Sequence, residues 1–193
     1  MNDASPLEPL RAIAAILDQL GLPWCLGGSL ASSFFGEPRA TRDIDLIVEL
    51  SLADIESLAR NVEPRFYVSR EAMKEAVTAR RSFNIIDTES GFKLDLFVRG
   101  DSAFDVSEFS RREIVLIDPG ARISVPIKSA EDSILRKLLW FQEGGSVSDQ
   151  QWRDITGILA AQAGKLDEQY LTLWARQLGF EPLLSRAVSD ARE

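Results

Sequence analysis

The sequence predicts an α/β (α+β) fold, with helices and strands mixed over residues 1–127 and helices alone over 128–193. Three observations predict it. Short apolar or alternating runs recur up to residue 127, at 24–26, 43–50, 83–88, 92–98, 114–117 and 122–127. Helical periodicity separates several of these runs, which is the pattern of an α/β region. Beyond Ser129 every apolar recurrence has helical spacing. The expected organisation is a core over 1–127, with the helical region of 128–193 packed on it as a second layer of one unit.

Each element has its own signal. Residues 6–20 predict a helix: Ser5 can cap it, Pro6 suits a first turn, and Leu10, Ile13, Ala14, Leu17 and Leu20 recur at helical spacing. Gly21 stops it. The apolar run Trp24-Cys25-Leu26 predicts a short strand that leads into Gly27-Gly28-Ser29, and a short helix follows over 30–35. Residues 43–50 alternate as a strand, with Ile44, Leu46, Val48 and Leu50 on one face. Helices are expected over 52–61 and 70–81. Ser90-Gly91 marks a hairpin between 83–88 and 92–98, and Asp118-Pro119-Gly120 a turn between 114–117 and 122–127. Ser129 and Asp132 have capping-box spacing before Ile134, Leu135, Leu138, Leu139 and Phe141. Gly144-Gly145-Ser146 breaks that helix, and further helices are expected over 149–163, 167–178 and 182–192. Trp140, Trp152 and Trp174 on these helices suit either a core or a contact between copies.

Composition narrows the chemistry. A hydrophobic share of 45% with 27% charged residues supports a sizeable core and argues against disorder. The single Cys25 excludes an intramolecular disulfide and fits a reducing compartment. Asp3 and Glu8 precede any apolar stretch, which does not fit a signal peptide, and no 18-residue apolar run predicts a membrane span. The expected location is cytoplasmic. With no His in the chain, imidazole base chemistry and most zinc sites fall away, so acid–base or metal chemistry must rest on carboxylates. A net charge of −8 argues against a broad nucleic-acid surface. It leaves room for a local basic cleft at Arg39–Arg42, Arg80–Arg81, Arg111–Arg112 or Arg136–Lys137, each of which also suits a solvated face.

Three features carry the chemistry together. Gly27-Gly28-Ser29 stands between a strand and a helix, where backbone can approach a phosphate closely. Alone it is equally a tight turn. Asp43 and Asp45 flank Ile44 at the start of a strand, which puts both carboxylates on one face about 7 Å apart at Cα. Carboxylates this close repel unless a proton or cation lies between them, and oxygen ligands suit Mg²⁺. Asp95 stands inside the apolar run 92–98, where a charge needs a partner. That partner is either an arginine such as Arg39 or Arg42, or a cation shared with Asp43 and Asp45 if the two strands are neighbours.

The motifs Leu26-Gly27-Gly28-Ser29, Asp43-Ile44-Asp45-Leu46 and Leu94-Asp95-Leu96 resemble those of the polymerase-beta-like nucleotidyltransferase superfamily. Within it the chain looks most like the AbiEii toxin group and its bacterial relatives, which continue with a helix bearing a lysine and a later helix bearing an aspartate. Lys137 and Asp154 match these. The resemblance implies a small mixed β-sheet core flanked by helices. It implies that Asp43, Asp45 and Asp95 are catalytic and bind Mg²⁺ or Mn²⁺, and that Asp95 helps activate the acceptor hydroxyl. It places Gly27, Gly28 and Ser29 on the terminal phosphates of an NTP, Lys137 on phosphate charge and Asp154 on nucleotide positioning. The expected activity is NMP transfer from an NTP to an RNA 3′ end, a protein hydroxyl or a small molecule, with a toxin–antitoxin or phage-defence role and an antitoxin or second copy as possible partners. A non-catalytic nucleotide-binding module is the alternative.

Overall fold

The computed structural model describes residues 6–41, 43–118, 120 and 123–192. Ser5, Arg42, Pro119 and Arg122, each used in an expectation above, lie outside the described residues. The elements run α1 (Leu7–Gln19), β1 (Trp24–Leu26), α2 (Gly28–Phe35), β2 (Asp43–Val48), α3 (Ile55–Val62), β3 (Phe66–Tyr67), α4 (Arg70–Ala79), β4 (Ser82–Asp87), β5 (Lys93–Val98), α5 (Ala103–Ser110), β6 (Glu113–Asp118) and β7 (Ile123–Ile127). Four helices follow, α6 (Ala130–Glu143), α7 (Asp149–Ala161), α8 (Glu168–Gln177) and α9 (Glu181–Asp190). This is the expected α/β class with a small mixed sheet. The chain divides into two units, residues 1–30 with 40–127, and 31–39 with 128–193.

The first unit holds a seven-stranded sheet in the order β3-β4-β5-β2-β1-β7-β6. β2 runs parallel to β5 and β1 parallel to β7, while the other neighbours are antiparallel. Side-chain alternation decides the two faces. Ile44, Leu46 and Val48 of β2, Leu94, Leu96 and Val98 of β5, and Phe83 and Ile85 of β4 are buried on one face. α4 packs against β4 and β5, α3 against α4, and α1 against α3. Asp87, a buried carboxylate at the end of β4 on this face, accepts from Arg65 Nε at 2.9 Å and from the Ser90 hydroxyl. That satisfies the rule that a buried charge needs a partner.

Two elements had escaped the periodicity. β3 is only two residues long, too short to show alternation. α5 carries a full capping box, Ser102 with Asp105, whose spacing is visible in the sequence. The short helix expected over 30–35 begins earlier, at Gly28.

In the second unit α6 packs on α7 and α8, and α9 packs on α7 and α8. Gly36 lets residues 31–39 lie against α7: a Cβ there would stand 2.9 Å from the Ile158 backbone nitrogen. Trp152 stacks on Phe141 with ring centroids 5.0 Å apart and donates its indole N–H to Asp190 at 3.0 Å. This tryptophan therefore serves the packing of its own unit. Among the described residues no helix is long and apolar enough to cross a membrane.

Candidate active site

The parallel pairing of β2 with β5 assembles the site. Asp43 is in register with Lys93 and Asp45 with Asp95. Side chains of in-register residues on adjacent strands share a face, and the strands are about 4.8 Å apart. Asp43, Asp45, Lys93 and Asp95 therefore stand together on the face opposite Ile44, Leu46, Leu94 and Leu96, all of which have no solvent exposure. Asn84 of β4 is in register with Asp95 and joins the same face. The sheet's pleat thus sets these three carboxylates on the opposite side from the hydrophobic face.

Lys93 joins two members of this group. Its Nζ lies 2.9 Å from Asp95 Oδ2 and 3.6 Å from Asp43 Oδ1. The hydrogen bond to Asp95 and the charges of Asp95 and Asp43 outweigh partial burial and hold the Lys93 ammonium above the ordinary lysine range. Asp95 thus has a lysine partner two residues earlier on its own strand, not Arg39. Arg42 lies outside the described residues.

Gly27 and Gly28 close the other side. The Gly27 N–H donates to the Asp45 carbonyl at 2.9 Å, and Gly28 opens α2 with φ at +56°. A Cβ on Gly28 would stand 1.7 Å from Asp45 Oδ2, so Asp45 is turned onto the space that only glycine leaves open. Ser29 follows at the start of the helix. Gly28→Ala is expected to lower stability by about 2 kcal/mol, from left-handed backbone strain plus forced displacement of the Asp45 carboxylate. The midpoint of urea unfolding measures this, and an unchanged midpoint would contradict the close approach.

Lys137 and Asp154 belong to the second unit. Lys137 Nζ donates to Asp154 Oδ2 at 2.8 Å, with side-chain exposures of only 8% and 6%. Arg39 donates to the same carboxylate through Nε at 3.1 Å and Nη2 at 3.2 Å, and Gln150 Nε2 at 2.9 Å. Burial pushes the Asp154 carboxyl up. Hydrogen bonds from Arg39 and Lys137, the Lys137 charge and the Gln150 amide outweigh it and hold the group below the usual carboxylate range. Lys137 is thus a buried, paired lysine and not a solvated one.

Several solved structures share this architecture. The chain aligns with ANT(2'')-Ia in complex with adenylyl-2''-tobramycin over 91% of its own length and 98% of that chain, at 17% identity and a TM-score of 0.63. It aligns with an antigenic nucleotidyltransferase-like protein from Paracoccidioides brasiliensis over 95% and 92%, at 18% identity and 0.53. It aligns with the lincosamide antibiotic adenylyltransferase LnuA, lincomycin-bound, over 81% and 98%, at 16% identity and 0.51. The chain has the nucleotidyltransferase fold. No family model and no curated protein matches the sequence.

A nucleotidyltransferase fold implies divalent metal, and the donor set can be tested for fit. Among the described residues no three acidic side chains converge as metal ligands in this conformation. The physical reason is local: Asp45 is turned onto Gly28, and Lys93 draws on Asp95 and Asp43. The donor chemistry fits nonetheless. Three carboxylates share one face, and a cation, the Lys93 ammonium, already sits against two of them. Sequence reasoning missed Lys93, because its place depends on a strand register that no local pattern reveals. An arginine partner for Asp154 was a sequence-level alternative, but its identity as Arg39, 115 residues away, was not readable.

Proposed function

We propose that this chain is a metal-dependent nucleotidyltransferase that moves NMP from an NTP to an acceptor hydroxyl and releases pyrophosphate. The observation that carries this reading is the in-register pairing that stands Asp43, Asp45 and Asp95 on one face of β2 and β5, beside the Gly27-Gly28-Ser29 turn. Asp43, Asp45 and Asp95 would hold Mg²⁺ or Mn²⁺, which when bound neutralises triphosphate charge and acidifies the acceptor hydroxyl. The acceptor oxygen forms a bond to the α-phosphorus, the bond from that phosphorus to the pyrophosphate oxygen breaks, and the Asp95 carboxylate takes the hydroxyl proton. Backbone N–H groups and the Ser29 hydroxyl at the turn hold the terminal phosphates. For Lys137 and Asp154 we propose the roles that the sequence resemblance assigns, neutralising phosphate charge and positioning the nucleotide.

Among acceptors, a neutral or cationic small-molecule hydroxyl fits best. A net charge of −8 opposes a polyanionic RNA end, since RNA affinity rests on cationic contacts to phosphate. The solved structures of this fold that are matched over 98% of their own length include an adenylyltransferase of lincosamide antibiotics and a protein solved with an adenylylated tobramycin.

The test is incubation with each α-labelled NTP, Mn²⁺ or Mg²⁺, and panels of aminoglycoside, lincosamide and RNA acceptors. Metal-dependent label transfer to a small molecule is expected. Nucleotide binding by calorimetry with no transfer to any panel would favour a regulatory module, and absence of binding would overturn the reading.

A further inference from the structure

Lys93 is not accounted for by the reaction proposed above, yet it contacts two of the three carboxylates. It stands beside Asp43 across the parallel pairing and two residues before Asp95 on the same strand, so its side chain rises from the same face. Its ammonium touches Asp95 Oδ2 at 2.9 Å and lies 3.6 Å from Asp43 Oδ1. Three carboxylates grouped on two adjacent strands repel one another unless positive charge lies among them.

We infer that Lys93 is an internal counter-ion of the carboxylate group: its ammonium holds Asp43 and Asp95 in the metal-free protein and has to leave them when a divalent cation binds, so that Lys93 sets the cation concentration at which the site loads. This rests on the nucleotidyltransferase reading. Mg²⁺ and Mn²⁺ need carboxylate oxygens within about 2.1 Å, and two of the oxygens the proposed ligands offer, Asp95 Oδ2 and Asp43 Oδ1, are engaged by Lys93. Two cations on one carboxylate edge repel, so loading the ion and keeping the lysine contact are mutually exclusive. The lysine side chain has the means to leave. It is 43% exposed and ends a flexible four-carbon stem, whereas Ile44, Leu46, Leu94 and Leu96 fix the strands beneath it.

The experiment is calorimetric titration of Mn²⁺, without nucleotide, into the wild-type chain, Lys93→Met, Lys93→Arg and Asp43→Asn/Asp45→Asn. Lys93→Met is expected to bind Mn²⁺ about tenfold more tightly than wild type, the range in which site couplings fall. Lys93→Arg, which keeps the charge, is expected to stay close to wild type. The metal-free thermal midpoint of Lys93→Met is expected to fall and to recover when Mn²⁺ is added. Equal or weaker Mn²⁺ binding by Lys93→Met, with binding still lost in the double aspartate variant, overturns the counter-ion inference and leaves the nucleotidyltransferase reading standing. Mn²⁺ binding absent from wild type, or undiminished in the double aspartate variant, overturns both.

Discussion

Asp45→Asn is expected to lower nucleotide transfer at least a thousandfold while leaving the fold intact. Asp45 is the central carboxylate of the group. It shares β2 with Asp43, is in register with Asp95 on β5, and its Oδ2 lies against the Gly28 position. Replacing one carboxylate oxygen by an amide keeps the size of the side chain, and the strand's buried face is untouched, since Ile44, Leu46 and Val48 supply it. What is lost is one negative charge and one oxygen donor at the point where triphosphate charge must be neutralised. Preorganised groups of this kind are worth several kcal/mol in the transition state, and about 4 kcal/mol corresponds to a factor of a thousand in rate. The loss should appear in kcat, with metal-dependent nucleotide binding weakened in parallel. The control is Asp101→Asn, an exposed acid outside the site, which should retain wild-type turnover. Transfer by Asp45→Asn within tenfold of wild type would remove Asp45 from the chemistry.

The sequence carried this placement only halfway. Alternation in 43–48 and 93–98 is enough to put Asp43 with Asp45, and to set Asp95 against the apolar residues beside it, because a period of two is local information. Whether Asp95 shares a face with Asp45 depends on which strands are neighbours and in what register, and a slip of one residue would reverse it. β5 lies fifty positions along the chain from β2, and it comes next to it through a parallel pairing rather than a hairpin. Lys93 was invisible for the same reason. In the sequence it reads as the second residue of the apolar run 92–98, and only the pairing with Asp43 turns it into a counter-ion. Arg39 shows the limit from the other side. It was a candidate partner for Asp95 on charge alone, but it binds Asp154, and nothing local distinguishes two acids that lie 56 and 115 residues away. Helix signals were more legible because capping and periodicity lie within one or two turns, as at Ser129 before α6.

The second large effect concerns stability and lies in the helical unit. Asp154→Ala is expected to destabilise the protein by about 3–5 kcal/mol, the usual loss when one partner of a buried ion pair is removed. Asp154 accepts four hydrogen bonds, two from Arg39 and one each from Lys137 and Gln150. Truncation takes the carboxylate away from a Lys137 side chain only 8% exposed, so its charge loses compensation that water does not replace. Asp154→Asn retains hydrogen-bonding capacity without the charge and should lose less. The pH dependence separates charge from shape. The folded-state pKa of Asp154 is depressed, because the Arg39, Lys137 and Gln150 contacts outweigh its burial. Its contribution is therefore present above the ordinary carboxylate value of about 3.9 and lost as pH falls through the depressed one. Asp87, depressed where Arg65 and Ser90 outweigh burial, acts in the same direction and window. Urea unfolding from pH 7 to 3 should accordingly show wild-type stability falling toward acid, a shallower fall in Asp154→Asn, and the remaining slope reduced by Asp87→Asn. An acid slope in Asp154→Asn equal to that of wild type would show that the Arg39–Asp154–Lys137 cluster is not held together by charge.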